Sequence, residues 1–365
     1  MNFSKTLKLY QRLIDKALRD YLSQKIKELP SFGNSFVKNQ HQLFLTYCLR
    51  SGKRLRPILT LMAYRAVGGR DIKKILTPAL AFELYHNYTL IHDDIYDEDE
   101  QRRGEWASHI LLQRWFEKKY GRSLSENILY KNSAARFGVV AGIINGKYLH
   151  TLSSLPILES KISDEKKVAG MKLHQAVSIF DNTGQAIDLY FEQASDVKEQ
   201  DYYDMVLCKT GRLFQAVIEW GAILGGAGAS QRKTLGKYAE EISIAFQLKD
   251  DLLDIDFKGG KGRGIGSDIK KGKKTLLAIQ ALKKANIQEK KFILRILGNG
   301  KATTGEIKKV IAILHKSGSV DYCRRIADLR VKKAIHYLRQ ARPPLAQDVI
   351  CFFQDLAYFM AERKK

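Results

Sequence analysis

The sequence is poor in several features that would restrict its fold or its location. Of its 365 residues only 6 are prolines, and its 4 cysteines (Cys48, Cys208, Cys323 and Cys351) lie too far apart to indicate a zinc site or a redox dithiol. No apolar run reaches the roughly 18 uninterrupted residues of a membrane span. The amino-terminal stretch lacks the continuous apolar core of a signal peptide. These absences favour a cytoplasmic protein with reduced thiols.

The scarcity of proline accompanies a strong helical pattern. Hydrophobic residues make up 45% of the chain and recur at helical spacing among lysines and glutamates. We therefore predict an all-α fold, and because no repeat or linker divides the chain, we predict a single domain over residues 1–365. The predicted helices cover residues 3–28, 36–50, 56–68, 76–99, 107–120, 133–153, 165–194, 199–226, 231–257, 274–284, 304–316, 319–341 and 346–362.

Acidic residues are outnumbered, with 39 Asp+Glu against 62 Lys+Arg and a net charge of +23. Such a balance suits nucleic acid, an anionic membrane surface or a polyanionic small substrate, and it also fits a helical surface coated with lysine. The chain has neither zinc-finger spacing nor the aromatic pattern of an RNA-binding module. We therefore predict no nucleic-acid partner, while the charge alone does not choose among the remaining partners.

Despite that scarcity, carboxylates concentrate in two short motifs that follow apolar stretches, "LIHDDIYDEDE" and "IAFQLKDDLLDID". Their aspartates are Asp93, Asp94 and Asp97 in the first motif, and Asp250, Asp251 and Asp254 in the second. Residues four apart lie on one face of a helix, so the first and last aspartate of each motif share a face. A charged helix end would account for one such motif, whereas two in one chain favour a binding role.

The chemistry of these motifs indicates a hard cation. Carboxylates without a His or Cys ligand set favour Mg²⁺, with Mn²⁺ as the alternative, and Mg²⁺ usually takes its remaining ligands from substrate phosphates and water. Arginines and lysines near the motifs supply the usual phosphate contacts. These cations are Lys53, Arg54, Arg56, Arg102, Arg103, Lys209, Lys273 and Lys274. Each of them alone is better explained as a surface cation, and it is their placement beside the acidic motifs that favours phosphate binding.

Six ordered motifs together resemble the trans-prenyltransferases, the short-chain isoprenyl diphosphate synthases that include farnesyl and geranylgeranyl diphosphate synthases. The motifs are "GKRLRP" (52–57), "HDDIYDEDEQRRG" (92–104), "GQAIDLYFE" (184–192), "KTG" (209–211), "FQLKDDLLD" (246–254) and "GSDIKKGKKT" (266–275). The resemblance implies a helical bundle around a deep central cavity, a homodimer, and the two aspartate motifs facing each other across the cavity mouth. It implies Mg²⁺-dependent head-to-tail (1'-4) condensation of isopentenyl diphosphate with allylic diphosphates.

The resemblance also assigns roles to the matching positions. Asp93 and Asp97 would bind two Mg²⁺ ions and Asp250 a third, with Asp94 and Asp251 completing the acidic rims. Asp254 and Asp188 join the expected metal set. The allylic diphosphate would be held by Arg102, Lys209 and Lys273, and that of isopentenyl diphosphate by Lys53, Arg56, His86 and Arg103. Gln185, Asp188, Thr210 and Gln247 match polar residues that line the reaction centre, whereas His92 is interpreted as a locally hydrogen-bonded core residue.

Product length is expected to depend on the residues just before the first motif. At about 1.5 Å rise per residue, Tyr88 lies roughly 7 Å and Tyr85 roughly 12 Å down the helix from Asp93. An aromatic Tyr88 beside the small Thr89 resembles the geranylgeranyl (C20) pattern of archaeal enzymes, with a C15 product as the alternative. Both tyrosines would equally suit a plain core position.

Two positions depart from the family pattern. Where many relatives carry "RRGxPTxH", this chain has "RRGEWASH" (102–109), and where relatives often carry Gly-Asp it has Gly146-Lys147. Neither position matches a primary metal ligand. A class I terpene cyclase and a non-catalytic basic helical protein are the rival interpretations, but a cyclase has no use for "GKRLRP" and usually lacks a second aspartate motif.

Overall fold

The computed structural model describes residues 3–121, 129–256 and 265–362. The chain divides into two compact units. The first unit comprises residues 2–61 and 71–171, and the second comprises residues 62–70 and 172–365. Within the described ranges the secondary structure is helical apart from one short hairpin, which confirms the predicted all-α class. The single-domain prediction and the central cavity stay predictions.

The first unit is built on long amphipathic helices. Its elements are α1 (Phe3–Glu28), α2 (Ser35–Leu49), α3 (Leu55–Ala66), a 3₁₀ turn (Ile72–Ile75), α4 (Leu76–Ala79), α5 (Ala81–Tyr96), β1 (Gln101–Arg102), β2 (Glu105–Trp106), α6 (Ser108–Tyr120), α7 (Ser133–Leu152) and α8 (Leu155–Leu158). Helix α3 continues into the second unit, and the two strands pair antiparallel with Gln101 opposite Trp106.

Helix α5 carries the first aspartate motif, and it packs closely against α7. The close approach depends on glycine, because a Cβ at Gly146 would lie 2.2 Å from Nε2 of His92. The ring of His92 fills that space and its Nε2 lies 3.1 Å from the carbonyl oxygen of Ile143. This bond is the hydrogen bond expected for His92, but the residue is half-buried rather than part of the core.

The second unit surrounds the long helix α12. Its elements are α9 (Asp164–Gln193), which begins in the first unit, α10 (Glu199–Val206), a π-helical turn (Leu207–Gly211), α11 (Arg212–Leu224), α12 (Ala229–Asp254), α13 (Ser267–Lys271), α14 (Leu276–Lys284), α15 (Ile287–Ile296), α16 (Thr304–Lys316), α17 (Ser319–Leu338) and α18 (Gln347–Glu362). Helix α12 packs against α10, α11, α14, α17 and α18. Buried apolar residues such as Val206, Leu248 and Cys323 form this core.

Most predicted helices are present, but two predicted segments are not single continuous α-helices. The segment 76–99 divides at Leu80 and ends at Tyr96, where Glu98 takes a left-handed φ of 52° and the Asp99 N–H donates to the carbonyl oxygen of Asp94. The segment 199–226 is interrupted by the π-helical turn. Helical periodicity is read over windows of roughly 11–18 residues, so it does not resolve a single irregular turn or the exact end of a helix.

Sequence analysis missed helix α15, the hairpin β1–β2 and three short helical elements, which are α8, α13 and the 3₁₀ turn Ile72–Ile75. Helix α15 begins at a capping box in which Asn286 accepts from the Glu289 N–H and Glu289 accepts in return, a sequence signal that was available in "NIQE". The hairpin β1–β2 has only two residues in each strand. Within the described ranges, no helix has both the length and the apolar character needed to cross a membrane.

Candidate functional site

The first aspartate motif lies at the carboxyl end of α5. The Asp97 N–H donates to the carbonyl oxygen of Asp93 (2.8 Å), so these two residues are one helical turn apart, as the spacing predicts. Both side chains are half-buried. Their shared face gives this end of the helix two carboxylates suited to a hard cation.

The middle aspartate of this motif has a different environment. Asp94 is fully buried, and its Oδ1 accepts from Nε of Arg102 (2.6 Å) and also contacts Nη2 of the same arginine. Its Oδ2 accepts from the Tyr47 hydroxyl (3.3 Å). Burial disfavours the charged Arg102, but the attraction of Asp94 outweighs it and raises the pKa of the guanidinium. Asp94 therefore holds Arg102 in place.

A cluster of cations occupies the same unit. Arg54 is buried and donates from Nε to Asp15 (2.7 Å) and from Nη1 to Glu83 (2.9 Å). Burial lowers the pKa of Arg56 to about 10, with Glu83 opposing the shift and Arg103 adding to it. Glu83 thus lies within electrostatic reach of several arginines, and the cluster has the excess positive charge that a polyanionic ligand needs.

His86 lies among these arginines. Burial lowers its pKa well below the usual range, and the nearby Arg56 and Arg103 add to the shift. The imidazole is therefore neutral at pH 7 and offers one N–H donor beside the cations. Of the expected isopentenyl diphosphate ligands, Arg56, Arg103 and His86 are thus brought together by the structure, and Lys53 is exposed nearby in sequence.

Sequence analysis missed Glu83 and Gly52 as parts of the site, and it named Arg54 as a possible phosphate contact, whereas the structure shows Arg54 paired with Asp15 and Glu83. Glu83 is the buried counter-charge, Arg54 is its ion-pair partner, and Gly52 gives room to Arg103. A Cβ at Gly52 would lie 3.2 Å from Nη1 of Arg103, so the glycine of "GKRLRP" permits close packing of that guanidinium. The position of Glu83, one helical turn before His86, was a usable signal.

The expected chain-length residues form an aromatic group between α5 and α7. Tyr85 and Tyr88 are buried with ring centroids 5.3 Å apart. Tyr88 also lies 4.9 Å from the ring of His92 and 4.9 Å from the ring of His150, which sequence analysis did not identify. The Thr89 hydroxyl donates to the carbonyl oxygen of His86 (2.9 Å). The hydroxyl is therefore hydrogen-bonded within its own helix and needs no partner among the surrounding side chains.

Lys147, the departure from the family pattern, is exposed on α7. It lies close enough to His150 and His92 to lower the pKa of each, in both cases as a smaller cause than burial. This lysine therefore acts on the electrostatics of the aromatic group.

In the second unit, two lysines converge on one buried carboxylate. Lys209 and Lys273 both donate to Oδ2 of Asp188, at 2.7 and 2.9 Å, and Lys273 also pairs with Glu192 at 2.8 Å. Burial would raise the pKa of Asp188, but the two lysines outweigh it and lower the pKa. In the described contacts Asp188 is thus the counter-charge that positions Lys209 and Lys273, and its expected role as a metal ligand stays a prediction.

The π-helical turn places Lys209 and Thr210 beside α9, where Gln185 is half-buried. A Cβ at Gly184 would lie 2.4 Å from the backbone nitrogen of Lys209, so only glycine permits this crossing. The glycine of "GQAIDLYFE" therefore brings α9, with Gln185 and Asp188, against the "KTG" motif.

The second aspartate motif ends α12 and has one half-buried and two buried aspartates. Asp250 is half-buried. Asp251 accepts from the Tyr202 hydroxyl (2.8 Å) and from Nε2 of Gln247 (2.9 Å). Asp254 accepts from the backbone N–H of Asp268 (3.0 Å), which anchors the start of α13. The role of Asp254 as a metal ligand stays a prediction.

The carboxylates of the two aspartate motifs are suited to magnesium that is coordinated by few protein ligands. Within the described residues, no group of three or more His, Cys, Asp or Glu side chains is arranged to enclose a metal ion. Magnesium does not need such a group, because it is commonly held by one or two carboxylates together with water and substrate phosphate. Asp93 with Asp97, and Asp250, supply donors of that kind, and basic residues near both motifs suit the phosphate.

Comparison with known proteins agrees with this chemistry. The profile of the polyprenyl synthetase family matches residues 38–314. A short chain isoprenyl diphosphate synthase of Methanocaldococcus jannaschii is 34% identical over 318 residues, which are 85% of this chain and 83% of that protein.

Solved structures share the fold. The geranylgeranyl pyrophosphate synthetase of Pyrococcus horikoshii matches with a TM-score of 0.82 and 31% identity over the whole of both chains. A geranylgeranyl pyrophosphate synthase of Corynebacterium glutamicum, solved in complex with isoprenyl diphosphate and magnesium, matches with a TM-score of 0.88 over the whole of both chains. Its identity of 21% supports the fold alone.

The helical fold, the two aspartate motifs and the basic residues beside them define a prenyl diphosphate synthase. The chain belongs to the polyprenyl synthetase family, which confirms the resemblance seen in its six motifs. The protein is a prenyltransferase.

Proposed function

We propose that the protein condenses isopentenyl diphosphate head to tail with an allylic diphosphate in a Mg²⁺-dependent reaction and makes geranylgeranyl diphosphate. The observation that carries the proposal is the arginine cluster around Glu83 and His86 in a chain with two complete aspartate motifs. A diphosphate carries the multiple negative charge that such a cluster would neutralise.

The basic cluster of the first unit is the proposed site for isopentenyl diphosphate. Arg56 and Arg103 supply guanidinium groups whose fork geometry matches phosphate oxygens, and Lys53 adds an exposed ammonium. Neutral His86 donates one hydrogen bond without adding charge. This substrate supplies the nucleophilic double bond, so its diphosphate must be bound without being activated as a leaving group.

The allylic diphosphate is the proposed ligand of the aspartate motifs and their neighbouring cations. Asp93, Asp97 and Asp250 would hold three Mg²⁺ ions, with Mn²⁺ as an alternative. When bound, these ions neutralise the charge that develops on the leaving diphosphate. Arg102, Lys209 and Lys273 are oriented by Asp94 and Asp188 and would contact the same diphosphate. These residues would favour ionisation by fixing positive charge in advance.

Polar residues of the second unit line the proposed reaction centre. Gln185, Thr210 and Gln247 are the proposed lining residues, and the Thr210 hydroxyl donates to Gln247 at 3.5 Å. Such dipoles stabilise an allylic cation without trapping it covalently. The released diphosphate is the proposed proton acceptor, so the reaction requires no dedicated protein base, and water must be kept from the cation.

Product length is proposed to be C20, set by Tyr88 with Tyr85 and Thr89. The buried ring of Tyr88, which packs against His150, supports this assignment. A C15 product is the alternative. We further infer a homodimer in the cytoplasm, where the four free cysteines remain reduced, with transient membrane contact when the lipid product leaves.

The test is incubation of the protein with labelled isopentenyl diphosphate and each of three primers: dimethylallyl, geranyl and farnesyl diphosphate. We expect C20 product from them only when Mg²⁺ is present, measured by chromatographic sizing after phosphatase treatment. Release of a cyclic hydrocarbon would instead indicate a terpene cyclase. Absence of any labelled product with all three primers, together with salt-sensitive DNA retention, would favour a non-catalytic basic protein.

A further inference from the structure

A closed ring of contacts surrounds the π-helical turn. The Tyr202 hydroxyl, on α10, donates to Oδ2 of Asp251 (2.8 Å), and Nε2 of Gln247 donates to Oδ1 of the same carboxylate (2.9 Å). The Thr210 hydroxyl donates to Oε1 of Gln247 (3.5 Å). The chain from Tyr202 through the π-helical turn to Thr210 closes the ring, so this segment is tied to α12 at both ends.

The ring has a physical reason to be stable. Asp251 is buried, and a buried carboxylate is costly unless hydrogen bonds compensate for lost water. Tyr202 and Gln247 provide a donor to each of its oxygens. The carboxylate in return orients the carboxamide of Gln247, so that its oxygen is presented to Thr210. The tyrosine hydroxyl thus acts on Thr210 through two intermediate side chains.

The turn itself needs such support. A π-helical turn is rare and is seldom stable without tertiary contacts, and these turns are frequent at functional sites. Here the turn carries Lys209 and Thr210, two residues of the proposed reaction centre. A shift of the turn by a fraction of an ångström would move both side chains together.

We propose that Tyr202 is a positioning residue that holds Lys209 and Thr210 in their catalytic geometry through Asp251 and Gln247. The inference rests on the proposed function, since it gives those two residues their catalytic purpose. It assigns the middle aspartate of the second motif to the support of Gln247. Tyr202 touches neither substrate nor metal in this role.

The test compares Tyr202→Phe with Tyr203→Phe. Tyr203 is the neighbouring residue of α10, and its hydroxyl also donates to a carboxylate, that of Glu199 at 2.6 Å, which is not part of the ring. Both variants therefore remove one tyrosine–carboxylate hydrogen bond from the same helix. Amide hydrogen exchange is measured on the protein without metal or substrate, in peptides that cover residues 207–211.

We expect exchange of this segment to become about tenfold faster in Tyr202→Phe and to stay unchanged in Tyr203→Phe, because only the first variant opens the ring. Equal exchange in both variants and the wild type would overturn the proposal. If Tyr202→Phe does not fold, Asp251→Asn replaces it, since the amide keeps the shape of the carboxylate but is a poorer acceptor. The same acceleration is expected there.

Kinetics provide the second readout. We expect kcat to fall about tenfold in Tyr202→Phe with the KM for isopentenyl diphosphate unchanged, because the basic cluster proposed for that substrate belongs to the first unit. Tyr203→Phe should keep both constants. Equal losses of kcat in the two variants would indicate general destabilisation and overturn the positioning role. If the wild-type protein transfers no prenyl group, the proposed function fails while the exchange experiment still tests the ring.

Discussion

Arg54 and Glu83 form a buried ion pair, with 2.9 Å between Nη1 and Oε1 and side-chain exposures of 1% and 3%. Arg54 pairs at the same time with Asp15, whose side chain is 43% exposed. One guanidinium therefore joins α1 to α5 through one buried and one solvated carboxylate. The pair gives the basic cluster a fixed counter-charge, and it allows the two kinds of ion pair to be compared on one arginine.

We expect Glu83→Gln to lower the free energy of unfolding by about 3 kcal/mol, because it removes the buried one of the two carboxylates that pair with buried Arg54. Urea denaturation followed by circular dichroism measures the change. Asp15→Asn is the matched control and should cost less than about 1 kcal/mol, since the carboxylate of Asp15 is solvated and Glu83 still pairs with Arg54. Equal losses in the two variants would contradict the importance of burial for this pair.

Replacing Asp93 or Asp250 by Ala should lower kcat by about three orders of magnitude, because each change removes a proposed metal donor and weakens the stabilisation of the leaving diphosphate. Initial rates at saturating substrate, over a range of Mg²⁺ concentrations, measure the effect. Glu98→Ala and Asp256→Ala remove exposed carboxylates next to each motif and should keep near-normal rates. Near-normal turnover in either aspartate variant would exclude its metal role.

Tyr88→Ala should lengthen the product beyond C20, because it removes the ring that packs against His150 and His92. Chromatographic sizing of the released alcohols measures the product. Tyr96→Ala removes an exposed aromatic residue two turns further along α5 and should not alter product length. An identical product distribution in Tyr88→Ala and the wild type would assign Tyr88 to the core alone.

The lowered pKa of His86 predicts how stability changes with pH. The folded protein holds this imidazole neutral, whereas the unfolded chain takes up a proton as the pH falls below about 6.5. The unfolded state then binds more protons, so His86 makes the free energy of unfolding decrease from pH 7.5 to pH 5.5.

We expect His86→Gln to make that decrease smaller, measured by urea denaturation at the two pH values. Other histidines with lowered pKa, among them His109 and His150, should leave part of the slope in place. The exposed His336→Gln is the control for a His-to-Gln substitution outside the arginine cluster. An unaltered slope in His86→Gln would show that this imidazole is not held neutral.

Sequence patterns predicted the shared face of two aspartates in the site, but they did not predict the contacts of others. The spacing of Asp93 and Asp97 predicted their shared face, since it depends only on helix geometry. The functions of Asp188 and Asp254 were assigned by motif, whereas their contacts in the structure are with lysines and with a backbone N–H. Such partners lie up to 85 residues away along the chain, as for Lys273 and Asp188, and no local pattern contains them.

The sequence by itself determined the helical class, the family and the two aspartate motifs, because periodicity, capping and motif spacing are properties of neighbouring residues. Only the tertiary structure decided that Asp94 and Asp251 accept hydrogen bonds in buried positions and that Glu83 is the counter-charge of an arginine cluster. It also decided that a π-helical turn joins α10 to α11. Those outcomes depend on which side chains meet when helices pack, and burial then sets their charge and hydrogen bonding.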